Sequence, residues 1–143
     1  MEILSLDEII KAFCGQIISG DRDTKIKGIS TDSRTVKPGD LFFALKGERC
    51  DGHRYVTHAM NTGAVGAVIS NEFNIEPAHK NFPVIRVKDT TTALGDLARY
   101  YRQKLNTTII GITGSNGKTT TKEMTYHLLS HFGPTAKSQK SFN

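Results

Sequence analysis

The stretch Ile109-Ile110-Gly111-Ile112-Thr113-Gly114-Ser115-Asn116-Gly117-Lys118-Thr119-Thr120-Thr121 decides how this chain is organised. It begins with apolar β-branched residues, continues as a loop rich in glycine, and opens into a segment whose apolar residues Met124, Leu128 and Phe132 have helical spacing. Gly133-Pro134 then ends that segment. The stretch therefore predicts a strand, a loop of the size that holds a phosphate, and a helix.

The loop between this strand and helix has the chemistry of a phosphate-binding site. Glycine lets the backbone turn with positive φ and approach a ligand closely, so that successive N–H groups converge on one point. The first turn of the helix adds unpaired N–H groups and the positive end of the helix dipole. Lys118 can reach the β- and γ-phosphates, and the Thr119 hydroxyl can ligate Mg²⁺. We therefore expect a cradle for a nucleoside triphosphate.

The spacing of the glycines differs from that of the standard phosphate loop. The pattern G-x-x-x-x-G-K-[ST] requires glycine at position 112, where this chain has Ile112. From the motif by itself, an ordinary glycine-rich connection followed by a chance Lys-Thr pair therefore stays open as an alternative.

Composition places the chain among ordinary globular proteins. Of its 143 residues, 37% are apolar and 23% are charged, which suits one domain, or one small domain with part of another. No apolar run approaches the length of a membrane span, and the N-terminus has no signal-peptide pattern. We therefore expect a cytoplasmic protein without a membrane-spanning segment.

The basic charge balance narrows the class of ligand. The formal net charge is +5, but the Lys and Arg residues are scattered and do not alternate with aromatic residues as a nucleic-acid platform requires. We therefore expect small anionic molecules as ligands and no nucleic acid. Cys14 and Cys50 lie far apart, without a C-x-x-C or metal-ligand spacing, and are predicted to be reduced structural thiols.

Residues 1–88 alternate helix and strand patterns and predict a small α/β domain. Ser5 and Glu8 form a capping box for a short helix that Gly15 is expected to end. A second helix starts near Tyr55, and the predicted strands are residues 17–18, 25–30, 41–45, 65–69 and 83–87. Lys37-Pro38-Gly39-Asp40 predicts a type II turn before the strand at 41–45.

The remainder divides into a helix and the start of a second domain. Residues 89–105 predict a helix that links the two domains, and residues 106–143 contain the phosphate loop. One strand, one loop and one helix cannot bury both faces of a parallel sheet, and fewer than about 40 residues rarely fold alone. We therefore expect the second domain to be incomplete and the chain to be the N-terminal part of a longer protein.

Two polar segments are candidates for substrate binding. Thr31-Asp32-Ser33-Arg34 follows directly on a strand, where convergent polar groups often form a ligand site, although a simple Asx or Ser turn with a solvated arginine stays open. The loop from Lys46 to His53 follows the next strand, at the edge where open α/β sheets place ligands. His53 can act as an acid or base there, or as a hydrogen-bonding or capping group.

Several of these segments together resemble the Mur ligases of peptidoglycan precursor synthesis. Residues 112–124 resemble the ATP loop of the type that adds D-alanyl-D-alanine, in which the shortened T-G-x-N-G-K-T form accounts for Ile112. Residues 31–34, 38–45 and 51–53 resemble the N-terminal uridine-nucleotide domain. Lys137 to Asn143 resembles the family segment that follows the first helix of the central domain.

The resemblance implies an ATP-dependent amide-bond ligase with three domains, of which this chain holds the first and the opening of the second. ATP and Mg²⁺ are the implied cofactors, with Lys118 as a catalytic residue and Thr119 as a metal ligand. The implied ATP-binding residues are Gly114, Ser115, Asn116, Gly117, Lys118, Thr119 and Thr120. The implied residues for the uridine diphosphate end of the substrate are Thr31, Asp32, Ser33, Arg34, Lys46, Gly47, Asp51 and His53.

The implied substrates are UDP-N-acetylmuramoyl-tripeptide, D-alanyl-D-alanine and ATP, and a monomer is expected. Two alternatives stay open: a Mur ligase of the type that adds the third amino acid, and a uridine-nucleotide-binding module without catalysis. Because the second domain is expected to be incomplete, we expect the 143-residue chain by itself to show no ligase turnover.

Overall fold

The computed structural model describes residues 3–48, 50–73 and 81–138 and divides into two compact units after Leu105. The first unit contains strands β1 (Leu4–Ser5), β2 (Gln16–Ser19), β3 (Lys25–Ile26), β4 (Gly28–Ser30), β5 (Asp40–Phe43), β6 (Gly66–Ser70) and β7 (Val84–Val87). Its helices are α1 (Leu6–Phe13), a 3₁₀ helix (Gly52–Tyr55), α2 (Val56–Thr62) and α3 (Thr90–Lys104). The second unit contains α4 (Lys118–Ser130). No helix in the described ranges is both long enough and apolar enough to cross a lipid bilayer.

A five-stranded sheet in the order β2-β7-β6-β5-β4 forms the centre of the first unit. Strands β4, β5, β6 and β7 pair in parallel, and β2 joins β7 as an antiparallel edge strand. The short strands β1 and β3 form a separate antiparallel pair. The predicted α/β class is therefore confirmed.

Both faces of the sheet are buried, as the nearly continuous apolar runs of β5 and β6 predict. Side chains alternate along each strand, so Leu41 and Phe43 point to one core and Phe42 to the other. The first core also contains apolar residues of α1 and α3, and the second contains Val56 and Ala59 of α2. Because both faces are covered, the loops lie at the two edges where the strands begin and end.

The first helix begins as predicted and ends differently. The Ser5 side chain accepts a hydrogen bond from the Glu8 amide at 3.2 Å, and the Glu8 carboxylate accepts one from the Ser5 amide at 2.9 Å. The left-handed residue at the end of α1 is Cys14, with φ 52°, and not Gly15. Gly15 is required for a different reason, because a Cβ there would lie 2.6 Å from Ile85 Cγ2 and 2.7 Å from Phe13 Cε2. Cys14 and Cys50 are free as predicted, but both are exposed.

The strand predicted at residues 25–30 is split into two. Lys27 leaves the sheet pattern and donates its amide to Gly39 O at 2.9 Å, so β3 pairs with β1 while β4 pairs with β5. The predicted turn before β5 is present, because Gly39 has φ 97° and the Asp40 amide donates to Lys37 O at 3.0 Å.

Helix α3, predicted as a link, packs on the core of the first unit. Ala93 and Leu97 are buried in the same core as α1. The Asp89 side chain caps the helix by accepting from the Thr92 amide at 2.6 Å. The buried Thr90 hydroxyl donates to Ala44 O at 3.0 Å, which ties the start of α3 to the residue after β5.

The second unit contains the predicted helix after the phosphate loop. The strand predicted to lead into the phosphate loop does not form within residues 106–138, where Ile109 and Ile110 are exposed. A strand needs a neighbouring strand for its backbone hydrogen bonds, and this short unit supplies none. After the helix, the Lys137 ammonium contacts the Glu123 carboxylate and lies 4.4 Å from the Tyr126 ring centroid. Residues 139–143, which carry part of the family resemblance, lie outside the described residues.

Two glycine substitutions test this description of the first unit. Gly15→Ala should destabilise the fold by about 1–3 kcal/mol, because its Cβ would overlap Ile85 and Phe13 in a packed core. Gly95→Ala in the exposed middle of α3 meets no atom within 4 Å and should stabilise by about 0.5–1 kcal/mol through helix propensity. Urea unfolding followed by circular dichroism measures both, and equal midpoints for the two variants would contradict the packing described for Gly15.

Candidate functional site

A cleft of about 680 Å³ lies at the carboxyl ends of β4 and β5. Because these strands are parallel, the segments that follow them meet at one edge of the sheet. The lining comprises Thr31, Asp32, Ser33, Arg34, Phe42, Leu45, Gly47, Cys50, Gly52, Tyr55 and His58. The structure therefore brings together five of the residues predicted for the substrate: Thr31, Asp32, Ser33, Arg34 and Gly47.

Asp32 holds the guanidinium of Arg34 in a fixed position. The Asp32 carboxylate accepts from Arg34 Nε at 2.9 Å, from Arg34 Nη2 at 2.6 Å, and from the Arg34 amide at 3.0 Å. These side-chain and backbone hydrogen bonds from Arg34 lower the pKa of Asp32 from 3.8 to about 2. The Arg34 side chain is still 82% exposed, so its remaining N–H groups can bind an anion.

Ser33 is the buried polar residue of this segment, with 6% of its surface exposed. Within the described ranges, its hydroxyl makes no hydrogen bond, whereas the neighbouring Ser30 hydroxyl donates to Asp32 O at 3.0 Å. A hydroxyl in a cleft wall is stabilised when a ligand supplies its hydrogen-bond partner. The sequence leaves open a simple turn with a solvated arginine, and the structure shows a turn whose Ser33 and Arg34 both line a cleft.

Backbone hydrogen bonds close the loop that forms the opposite wall. The Gly47 amide donates to Cys50 O at 2.9 Å, and the Gly52 amide donates to Leu45 O at 2.8 Å. A Cβ on Gly52 would lie 2.7 Å from Leu45 O, so only glycine allows this close approach. Lys46 does not line the cleft, and its ammonium lies 3.7 Å from the Glu72 carboxylate.

Asp51 and His53 follow the lining residues Cys50 and Gly52 in the chain but do not themselves line the cleft. His53 is 3% exposed, and its Nδ1 lies 2.6 Å from Asp51 Oδ1. The hydrogen bond from the His53 side chain lowers the pKa of Asp51. The contacts therefore support the hydrogen-bonding role for His53, whereas the capping side chain of the 3₁₀ helix is that of Asp51. An acid or base role would need a ring nitrogen that reaches the cleft.

Sequence reasoning missed the aromatic part of the lining. Tyr55 and His58 are three positions apart, so the helical spacing predicted after Gly52 places them on one face. The same spacing suits an ordinary surface face, and only the folded structure shows that this face borders the cleft.

The phosphate loop lies in the second unit and has the backbone that its glycines predict. Gly114 and Gly117 have φ of 153° and 75°, and Gly117 is the N-cap residue of α4 without a capping side chain. No atom lies within 4 Å of a Cβ built on Gly117, so the loop is open at that point. The Lys118 ammonium donates to Gly114 O at 2.7 Å and thus lies over the loop, where a phosphate oxygen could replace the carbonyl as its acceptor.

The metal prediction rests on Thr119 at the second position of α4. In the part of the chain that the structure describes, no three His, Cys, Asp or Glu side chains form a metal-binding group. This donor set suits Mg²⁺ held mainly by nucleotide phosphates and water, with few protein ligands.

Comparison with known proteins identifies the family to which the chain belongs. Residues 25–102 match the Mur ligase family, catalytic domain, and residues 112–143 match the Mur ligase middle domain. The chain belongs to the Mur ligase family. The two matched segments fall in the two compact units, with the boundary after Leu105 between them.

Curated relatives of this Mur ligase chain carry ligase names. It is 46% identical over 120 residues to the UDP-N-acetylmuramoyl-tripeptide--D-alanyl-D-alanine ligase of Bacillus subtilis, covering 84% of this chain and 26% of that protein. It is 43% identical over 112 residues to the ligase of the same name from Haemophilus influenzae, covering 78% of this chain and 24% of that protein. A 2,6-diaminopimelate ligase of Phocaeicola vulgatus is 37% identical over 134 residues, covering 91% of this chain and 27% of that protein. The Mur ligase chain thus spans about a quarter of the length of these relatives.

Solved structures give the same family. MurF from Acinetobacter baumannii superposes with a TM-score of 0.79 at 38% identity, covering 94% of this chain and 29% of that one. A MurF ligase from Thermotoga maritima in complex with ADP superposes with a TM-score of 0.61 at 35% identity. The superposition covers 72% of this chain and 23% of that one.

The pairing of Asp32 with Arg34 predicts a pH dependence. Because the folded-state pKa of Asp32 is lowered to about 2, the stabilisation from this pair is present above the unfolded-state pKa and is lost as the pH falls through about 2. Carboxyl carbon NMR shifts should give a midpoint near 2 for Asp32. In Arg34→Ala the midpoint should rise toward about 3.9, the value of an unperturbed aspartate. An unchanged midpoint in that variant would contradict the hydrogen bonds from the Arg34 guanidinium to Asp32.

Proposed function

We propose that the protein that contains this chain is an ATP-dependent amide-bond ligase that adds D-alanyl-D-alanine to UDP-N-acetylmuramoyl-tripeptide in peptidoglycan precursor synthesis. The observation that carries the proposal is the cleft wall of the first unit. There the Ser33 hydroxyl, which has no hydrogen-bond partner among the described residues, lies next to the exposed Arg34 guanidinium that Asp32 holds in place. This arrangement suits an anionic, hydroxyl-rich ligand such as a uridine diphosphate sugar.

We assign the uridine diphosphate end of the substrate to this cleft. Thr31, Ser33, Arg34 and Gly47 would contact the ligand, and Asp32 would orient Arg34. Lys46, Asp51 and His53, which do not line the cleft, would act by shaping its loop. Binding energy gained here, far from the reacting carboxylate, contributes to the positioning of that carboxylate for reaction.

We assign ATP to the phosphate loop of the second unit. The residues that would hold its phosphates are Gly114, Ser115, Asn116, Gly117, Lys118, Thr119 and Thr120. Lys118 would exchange its hydrogen bond to Gly114 O for a stronger, charge-assisted bond to a phosphate oxygen. Mg²⁺, with Thr119 as a protein ligand, would supply further neutralisation of phosphate charge.

The proposed chemistry explains why so much positive charge is needed. Transfer of the γ-phosphoryl group of ATP to the terminal carboxylate of the tripeptide gives an acyl phosphate and ADP. The amine of D-alanyl-D-alanine then attacks the acyl carbon, the amide bond forms, and phosphate and a proton leave. The first step brings two anions together, so Lys118 and the loop amides must offset their repulsion.

The alternatives have weaker support. Relatives named as D-alanyl-D-alanine ligases reach 46% identity, against 37% for the diaminopimelate ligase cited above. A uridine-nucleotide-binding module without catalysis does not explain the phosphate loop of the second unit. The amine that the whole enzyme accepts would decide between the two ligase types. The cytoplasmic location, the monomeric state and the lack of turnover by the chain alone stay predictions.

Titration with UDP tests the cleft assignment. Arg34→Ala and Ser33→Ala should weaken binding by about tenfold or more, because each removes a hydrogen bond from the ligand and the first also removes a charge. Arg34→Lys should fall between wild type and Arg34→Ala, since a lysine retains the charge and loses the planar fork. Isothermal calorimetry gives the affinities.

The matched control for Arg34 is Arg99→Ala. Arg99 also pairs with a carboxylate, Asp96 at 2.9 Å, but on α3 and outside the cleft lining. Its removal should leave UDP affinity within about twofold of wild type, as surface charges outside a site contribute little. Equal affinities for Arg34→Ala and Arg99→Ala would overturn the cleft assignment.

Binding of ADP with Mg²⁺ tests the second unit. Lys118→Ala should weaken binding by about tenfold or more, because a charge-assisted hydrogen bond to phosphate is lost. Lys25→Ala removes the same charge from an exposed position of β3 in the first unit and should have no effect. A fluorescent ADP analogue measured by anisotropy provides the affinities, and equal losses in both variants would show only a general charge effect.

A further inference from the structure

His53 connects three parts of the first unit through its imidazole and its backbone. Nδ1 lies 2.6 Å from Asp51 Oδ1, and Nε2 accepts a hydrogen bond from the Ser70 amide at 2.9 Å. The His53 amide itself donates to Asp51 Oδ1 at 3.0 Å, which starts the 3₁₀ helix. The ring also packs against Phe73, with the centroids 4.9 Å apart.

These partners determine the tautomer of His53. A backbone amide can only donate, so Nε2 must carry the lone pair that accepts from Ser70. Nδ1 therefore carries the proton and donates to the Asp51 carboxylate. The neutral ring with its proton on Nδ1 satisfies both contacts at once.

The Ser70 contact links the cleft loop to the sheet. Ser70 is the last residue of β6, and His53 lies seventeen positions before it, directly after the loop that carries Gly47, Cys50 and Gly52. Inside that loop, two backbone hydrogen bonds join Gly47 to Cys50 and Leu45 to Gly52. Those bonds close the loop on itself, whereas the imidazole attaches its end to the neighbouring parallel strand.

We propose that His53 is a positioning residue for ligand binding in the cleft. Its bond to the Ser70 amide holds the loop wall against the sheet edge, so affinity for the ligand depends on a ring that does not line the cleft. The identity of the ligand as a uridine nucleotide rests on the function proposed above; the mechanical role of His53 does not.

Two substitutions separate the two ring nitrogens. The side-chain amide of glutamine reaches the position of Nε2 and can accept from Ser70, whereas that of asparagine reaches the position of Nδ1 and can donate to Asp51. His53→Gln should therefore bind UDP within about threefold of wild type. His53→Asn leaves the Ser70 amide unpaired and should bind about tenfold more weakly or worse. Calorimetry at a temperature well below the unfolding midpoint of each variant measures this difference.

Amide hydrogen exchange provides a readout that needs no ligand. The amides of Ser70, Gly47 and Gly52 should exchange faster in His53→Asn than in wild type, and His53→Gln should restore slow exchange. A role in packing alone would predict similar exchange in both variants, because both replace the ring against Phe73 by a smaller amide.

Each outcome decides the proposal. If Arg34→Ala weakens UDP binding and both His53 variants bind like wild type, the positioning role is overturned and the proposed function stands. If wild type does not bind UDP, the proposed function fails, and the exchange rates alone decide on His53. If His53→Asn does not fold, His53→Gln decides by comparison with wild type: faster exchange at Gly47 and Gly52 in that variant, which keeps an acceptor for the Ser70 amide, would overturn the proposal.

Discussion

Parallel hydrogen bonding of β4, β5, β6 and β7 is the constraint on which the first unit depends. Parallel strands need connections that return across the face of the sheet, and these cover both faces with helices and loops. Every strand of this set also points its carboxyl end to the same edge. The segments after β4 and β5 therefore meet at that edge, where they line the cleft.

The chemistry of that cleft comes from turns whose hydrogen bonds are satisfied internally. Asp32 uses both carboxylate oxygens on Arg34, so the arginine pays little conformational entropy when it binds a ligand. Gly47 and Gly52 close the opposite loop through backbone bonds, and His53 attaches that loop to β6. The positions of the cleft groups are thus fixed by hydrogen bonds within its own turns and by His53, which does not line the cleft.

The second unit differs from the first because its structure depends on local contacts more than on contacts between distant segments. Its phosphate loop and the start of α4 need only local backbone geometry, and both form within residues 106–138. The apolar side chains Met124, Leu128 and Phe132 of that unit stay exposed, because residues 106–138 supply no second layer to cover them. The loop and the start of α4 therefore form from local backbone geometry, without the burial that stabilises the first unit.

The sequence by itself determined the features that depend on neighbouring residues. The capping box of Ser5 and Glu8, the Pro38-Gly39 turn and the helix after Lys118 each follow from short-range hydrogen bonding or fixed φ, and all three are present. The apolar runs at 41–45 and 65–69 also predicted strands, and β5 and β6 lie there. The family followed from motifs in the right order, and the comparisons confirmed it.

Only the tertiary structure decided which residues meet across long separations in the chain. Position 15 must be glycine because a Cβ there would overlap Ile85. The strand predicted at 25–30 splits because the Lys27 amide donates to Gly39 O. His53 accepts a hydrogen bond from the Ser70 amide, seventeen positions away. Tyr55 and His58 border the cleft for the same kind of reason, since α2 packs on the sheet beside the ends of β4 and β5. Spacing in the sequence indicates which face of an element is apolar, but the partners of that face depend on packing between distant segments.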